Sequence, residues 1–158
     1  MHDFGLAKVA VNRKDRIRMA SDTPEYVLDR QVGFVLRRAT QRHLTIFAAQ
    51  IPDLTPTQFA ALAKLCAAGP ESQNALGRQT AMDAATIKGV VDRLRAKGLV
   101  TAGRDPDDQR RITLTPSSKG RALYEARVSQ AHAITRDTLA PLTEAERDTF
   151  LALLAKIT

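Results

Sequence analysis

The stretch at residues 82–115, MDAATIKGVVDRLRAKGLVTAGRDPDDQRRITLT, leaves this chain little choice of fold. Asp83 can cap a helix, because its carboxylate accepts hydrogen bonds from the first unpaired backbone N–H groups. Ile87, Val90, Val91 and Leu94 then recur at helical spacing and make one apolar stripe. Met82 and Ile87 stand where a hydrophobic staple would place them, just before the cap and at the fourth helical position. Lys97-Gly98 closes the helix, since glycine takes the left-handed conformation that a helix end often needs. The short apolar run Leu99-Val100 leads into RDPDDQRR at residues 104–111, which reads as a turn, and residues 111–115 alternate as a strand. A helix followed by a hairpin with a charged, arginine-bearing tip is the layout of a winged helix. The fold class predicted is mainly α with a small β-wing.

The rest of the chain supplies helices around that unit. Three Thr-Pro pairs, at 23–24, 55–56 and 115–116, mark predicted helix starts, because Thr caps and Pro suits the first helical position. The spacing predicts a first helix over 24–50, striped by Leu28, Val32, Val35, Ala39, His43 and Ile46 and widened by Leu36 and Phe47. A second runs over 56–68, with Thr55 and Gln58 as a capping box, Leu54 and Phe59 as a staple, and Gly69-Pro70 as its stop. Ser72 opens a short third helix, and with the helix at Asp83 it makes a helix-turn-helix. A fifth helix follows from Pro116 to about residue 140. Thr143 and Glu146 form a capping box for a last helix that carries Phe150, Leu151, Leu153, Leu154 and Ile157. That helix holds more apolar surface than a chain end can easily hide, so it and the first helix are expected to pair with a second copy. The division predicted is a basic arm over 1–22, helical dimerisation segments at 23–54 and 116–158, and a winged helix-turn-helix DNA-binding domain over 55–115. The arm, with Lys8, Arg13, Lys14, Arg16 and Arg18, reads either as a solvated tail or as a grip on DNA.

Bulk properties agree with a nucleic-acid partner. The formal charge is +7 and the pI about 10.1. Lys and Arg that neutralise phosphates release counterions, but a basic protein need have no polyanionic partner. Trp is absent and aromatics are few, which argues against a base-stacking platform for single strands. A single Cys excludes an intrachain disulfide and fits a reducing, cytoplasmic compartment. No run approaches the ~18 apolar residues of a membrane span, and no secretory signal is visible. No nucleophile motif, phosphate loop or placed carboxylate pair suggests an enzyme, and no cofactor is implied. The three His are too scattered for a metal site. Cys66 lacks the charged or second-Cys surroundings of a reactive thiolate and reads as structural.

From about residue 24 onward the chain resembles a MarR-family transcriptional regulator. The resemblance rests on the DxxTIKGVVDRLxxKGLV stretch (83–100), the D-P-x-D-x-R wing (105–110) and the ITLTPSSKG segment (112–120). It implies a homodimer of two winged-helix lobes that represses transcription from a pseudopalindromic operator in double-stranded DNA. It also implies release by a small aromatic carboxylate, or its coenzyme A thioester, bound between the dimerisation helices and the DNA-binding lobe. The regulated genes would serve aromatic-compound catabolism or a stress response. The competing reading is a winged helix without a sensor pocket, binding DNA non-specifically or a protein partner.

Residue roles follow. Thr86, Lys88 and Gly89, with Asp83 and Ala85 beside them, fall where family members present the recognition helix. The helical wheel turns Thr86, Lys88, Gly89 and Arg93 outward. Thr86 suits a thymine methyl or a base acceptor, and Lys88 a guanine or a phosphate. Gly89 has no side chain to read with, and lets the backbone come close to the groove. Arg110 is expected in the minor groove, braced by Asp108 paired to a neighbouring Arg, as the family's D-x-R pattern suggests. Arg111, Ser72 and Gln73 are phosphate candidates. In some relatives that sense aromatic carboxylates, an Arg and a His six apart on the first helix hold the anion. Arg37 and His43 have that spacing, with Arg38 or Arg42 as substitutes and Phe34, Phe47 and Phe59 as pocket walls or core. Val27, Leu142, Phe150, Leu151, Leu154 and Ile157 are the expected dimer contacts.

Overall fold

The computed structural model describes residues 25–105, 108–110 and 112–158. The basic arm, the Thr23-Pro24 start and Arg111 lie outside the described residues. Two compact units are distinguished, residues 1–37 and 38–158. Element order is α1 (Val32–Gln50), α2 (Pro56–Ala68), α3 (Gln73–Gln79), α4 (Ala84–Ala96), β1 (Val100–Arg104), β2 (Ile112–Pro116), α5 (Ser118–Thr138) and α6 (Glu144–Ala155). The chain is therefore mostly helical with a two-stranded antiparallel sheet, the winged-helix arrangement expected.

In the first unit the single helix expected over 24–50 is not continuous. Leu28–Arg30 form one 3-10 turn, and Gln31 is extended at φ −83° and ψ 126°. The Gln31 N–H is spent on Leu28 O and its side chain donates to Val27 O at 3.1 Å. An extended residue cannot carry the α-helical ladder, so α1 starts one residue later, and Leu28 does not belong to its stripe.

The second unit holds the core. Ile51, Leu62, Leu65, Leu76, Ile87, Leu94 and Leu99 are fully buried, each such side chain stabilising the fold by roughly 1.5–3 kcal/mol before entropy is counted. Helix α2 starts where its sequence dictates. Thr55 Oγ1 accepts from the Gln58 N–H at 3.3 Å, and Gln58 Oε1 accepts from the Thr55 N–H. Gly69, at φ 87°, stops it in a conformation that side chains avoid. Between α3 and α4 the chain turns tightly. Met82 N–H bonds Gly77 O at 2.9 Å, and a Cβ on Gly77 would meet Ile87 Cγ2 and Met82 O at 3.2 Å. Ala81 takes the left-handed conformation at that turn, φ 52°.

The wing pairs from Val100↔Pro116 to Arg104↔Ile112. Glu71 adds a one-residue bridge to Leu114, exchanging both backbone hydrogen bonds at 3.1 and 2.7 Å. Thr115-Pro116 proves to be the end of β2, not a helix start. Ser117 caps α5 instead, accepting from the Gly120 N–H at 3.0 Å and donating to Gly98 O at 2.7 Å. Pro116 can close a strand because its missing N–H costs nothing at a ladder's end. At its far end α5 is clasped by α1. Arg42 donates to the carbonyls of Asp137 and Thr138 at 2.9 and 3.2 Å, and Gln50 Nε2 donates to Asp137 Oδ2 at 2.8 Å. Helix α6 opens on the Thr143–Glu146 capping box but buries none of its residues.

Candidate functional site

Helix α4 divides cleanly into two faces. Ile87, Val90, Val91 and Leu94 are buried at 0–3 % exposure. Asp83, Ala85, Thr86, Lys88 and Arg93 are exposed and Gly89 is half-exposed. Burial of the stripe fixes the rotation of the helix, and that rotation is what presents the polar face. Asp83 Oδ1 accepts from the Thr86 N–H at 2.7 Å, and this bond holds the Asp83 carboxyl below its ordinary range. The cap therefore stays ionised at the positive end of the helix dipole. Lys88 Nζ donates to Asp92 Oδ2 at 2.7 Å, one turn on. The same bond keeps Asp92 low.

The wing carries its arginine in the open. Arg110 is exposed, and its backbone N–H donates to Asp108 Oδ1 at 3.0 Å. Asp108 thus braces the tip through the main chain of Arg110; a pairing with the neighbouring Arg111 lies outside the described residues. Arg104 Nη1 adds a bond to Gln109 O at 2.6 Å. Both contacts shape the turn while leaving the Arg110 guanidinium without a partner among the described residues. Ser72 caps α3, its Oγ accepting from the Ala75 N–H at 3.2 Å, and both it and Gln73 are half-buried.

A second group gathers on α1, α2 and α5. His43 Nδ1 lies 3.2 Å from Thr138 Oγ1. Ring centroids step from His43 to Phe47 (6.1 Å), Phe47 to Phe59 (6.1 Å) and Phe59 to Tyr124 (5.9 Å). Phe47 also walls a cleft of about 470 Å³ with Leu44, Ala48, Ile51, Gln58 and Lys97. Sequence reasoning missed Tyr124 and gave Thr138 only a place in the stripe of the fifth helix, because their partners, Phe59 and His43, are far away along the chain. Arg42, the other substitute that the spacing allowed, donates to the carbonyls that end α5. Arg38 is exposed. In the first unit, Arg37 stacks over the Phe34 ring at 5.3 Å from its centroid, a cation–π contact.

Among the described residues no group of His, Cys, Asp and Glu could hold a metal, and no helix is long and apolar enough to cross a membrane. Burial pushes the Cys66 thiol up, away from thiolate chemistry.

Comparison with known proteins places these features. A family model described as MarR family matches residues 53–111, the span from the entry to α2 through the wing. The transcriptional repressor NicR of Pseudomonas putida is 41% identical over 138 residues, covering 86% of this chain and 87% of that protein. A probable transcriptional regulator from Pseudomonas aeruginosa, known by crystal structure, is 52% identical, with a TM-score of 0.81 over 84% of this chain and all of that one. Bordetella bronchiseptica BpsR, whose DNA binding is described as regulated by 6-hydroxynicotinic acid, is 41% identical, with a TM-score of 0.80 over 84% of this chain and 96% of its own.

Proposed function

The chain belongs to the MarR family of winged-helix transcriptional regulators, DNA-binding proteins rather than enzymes, and on that footing we propose that it is a homodimeric repressor released from its operator by a small aromatic carboxylate. The observation that carries the DNA half is the open polar face of α4, held outward by four buried residues, with the exposed Arg110 on the same unit. Thr86, Lys88, Gly89 and Arg93 then meet the major groove, with Asp83 and Ala85 at its mouth. Arg110 enters the minor groove, and Arg111, Ser72 and Gln73 approach phosphates. The winged helix of residues 55–115 does the binding, and the segments at 23–54 and 116–158 make the dimer. Two recognition helices related by a two-fold axis fit half-sites about 10 bp apart.

The sensing half is supported by the acid named for BpsR and by the repressor name of NicR, both at 41% identity. In the second unit, His43, Phe47, Phe59 and Tyr124 offer ring faces and one imidazole, the chemistry that a flat aromatic acid requires. Arg38 is the candidate cation, and a charge-assisted bond to the carboxylate selects for the anion. Fluorescence anisotropy on a footprinted operator fragment tests both halves. Titration with hydroxylated pyridine and benzene carboxylates, beside their coenzyme A thioesters, is expected to raise the Kd at least tenfold for one class. His43→Ala should bind DNA but ignore the effector. Equal affinity for operator and random DNA would remove the repressor reading, and indifference to the whole panel would remove the sensor.

A further inference from the structure

The outermost ridge of α4 is nearly bare. At 100° per residue, Ala85, Gly89, Asp92 and Ala96 lie along it, with Thr86 and Arg93 on one flank and Lys88 and Arg95 on the other. The two flanks differ electrostatically. Lys88 has its charge taken up by Asp92 at 2.7 Å, whereas Arg93 has no carboxylate partner among the described residues. Helical side chains lean toward the N-terminus, so the long Arg93 stem runs back along the helix toward Gly89 and Thr86. The geometry bears this out. Apart from the helix's own backbone and adjacent residues, the group among the described residues that a Cβ built on Gly89 would meet within 4 Å is Arg93 Nη1, at 3.7 Å.

We infer that Gly89 is a slot for Arg93, and that Arg93, laid across it, is the side chain that reads the base pair facing the middle of the recognition helix. This rests on the major-groove reading of α4 above. The expected target is a guanine, whose N7 and O6 accept two hydrogen bonds from a guanidinium fork and whose pairing with Arg is the commonest specific contact. A Cβ alone at 89 would make ordinary contact with the guanidinium, but a long side chain there would compete with it for the same space. Glycine is thus used not to avoid reading but to move the reader from position 89 to position 93. Lys88, held in an exposed ion pair with Asp92, meets the groove as the weaker base reader of the two.

The test is a binding series in which every base pair of one half-site is replaced in turn, measured with the full-length protein and three variants, Arg93→Ala, Arg93→Lys and Gly89→Met. Circular dichroism and dimer state are recorded for each, so that a folding defect is seen separately. The expected result is that wild type loses roughly ten- to a hundredfold at one G·C position per half-site. Arg93→Ala should bind the intact operator that much more weakly and show no preference at that position. Arg93→Lys should keep part of the affinity but little of the preference, because a point charge lacks the fork. Gly89→Met, still helical, should copy Arg93→Ala by displacing the guanidinium. A uniform loss across all base variants in Arg93→Ala, with a shallower salt dependence, would make Arg93 a phosphate contact and overturn the inference, as would a Gly89→Met protein with unaltered preference. If wild type selects no sequence at all, the major-groove reading itself fails, which is a separate and recognisable outcome.

Discussion

Two glycines show how much one Cβ decides. Gly120 sits in the first turn of α5, where an added Cβ would lie 2.1 Å from Leu99 O and 3.3 Å from Leu62 Cδ1. The obstacle is backbone, which the wing and the α5 cap both fix. Gly120→Ala is therefore expected to lose about 1–3 kcal/mol or more of stability, read as a lower urea midpoint with an unchanged slope. Gly89 is the opposite case. It lies inside a helix, and beyond that helix's own backbone an added Cβ would make ordinary contact with the movable Arg93 guanidinium, so Gly89→Ala should gain about 0.5–1 kcal/mol. Should Gly89→Ala bind its operator more weakly despite that gain, the glycine is kept for the groove and not for the fold. A variant that is both more stable and equally tight would show that the backbone does not need to approach so closely. The sequence made Gly89 conspicuous as a position with no side chain to read with, but it did not show Arg93 Nη1 lying beside it, because that contact depends on which way a long side chain lies.

At the scale of elements, what was legible was what is local. Helices α2, α3, α4 and α6 open on the caps expected for them, because a Thr, Ser or Asp oxygen bonds the N–H three residues on whatever the tertiary surroundings. The failures are also instructive. Thr115-Pro116 looks like a cap and its proline, yet strand pairing with Val100 claims Pro116 and hands the cap to Ser117. The Glu71 bridge, one residue long, has no periodicity to detect. The α4 cap makes a pH prediction. In the unfolded chain the Asp83 carboxyl titrates near its ordinary value of 3.8, and in the folded chain below it. The folded state thus binds fewer protons between the two values, so the cap's contribution is present above 3.8 and is lost as pH falls through the lower value. The Thr86 amide resonance should follow that titration in NMR, with a midpoint under 3.8, and a midpoint at or above it would contradict the bond. For the wing, Arg110→Ala should weaken operator binding severalfold while leaving thermal stability within about 0.5 kcal/mol, since an exposed tip supports no core.

On the scale of the molecule, the apolar surface left uncovered decides the argument. Val32 is 68% exposed, Leu151 47%, Leu153 56% and Ile157 67%, and α6 buries nothing at all. A capped and ordered helix that fully buries none of its apolar residues among the described residues is expected to gain stability from a further contact, because single short helices are marginal in water. The proposed occupant is a second copy, through Val27, Leu142, Phe150, Leu151, Leu154 and Ile157. Leu151 is already 47% exposed in the single chain, so replacing it by Glu removes little packing there and its effect on the monomer's fold should be small. Its effect on association should be large, because a carboxylate would be driven into an apolar interface. Sedimentation of the wild type at twice 17.3 kDa and of Leu151→Glu near 17.3 kDa is the expected pair of results. The DNA consequence follows from linkage. Tying two lobes together makes the second half-site contact intramolecular, a gain of roughly 10²–10⁴ in affinity. The monomeric variant should lose about that much on a full operator and almost nothing on an isolated half-site. Loss on both to the same degree would mean that Leu151 supports the DNA-binding unit directly, and a wild type that sediments as a single chain would leave α6 in want of another partner.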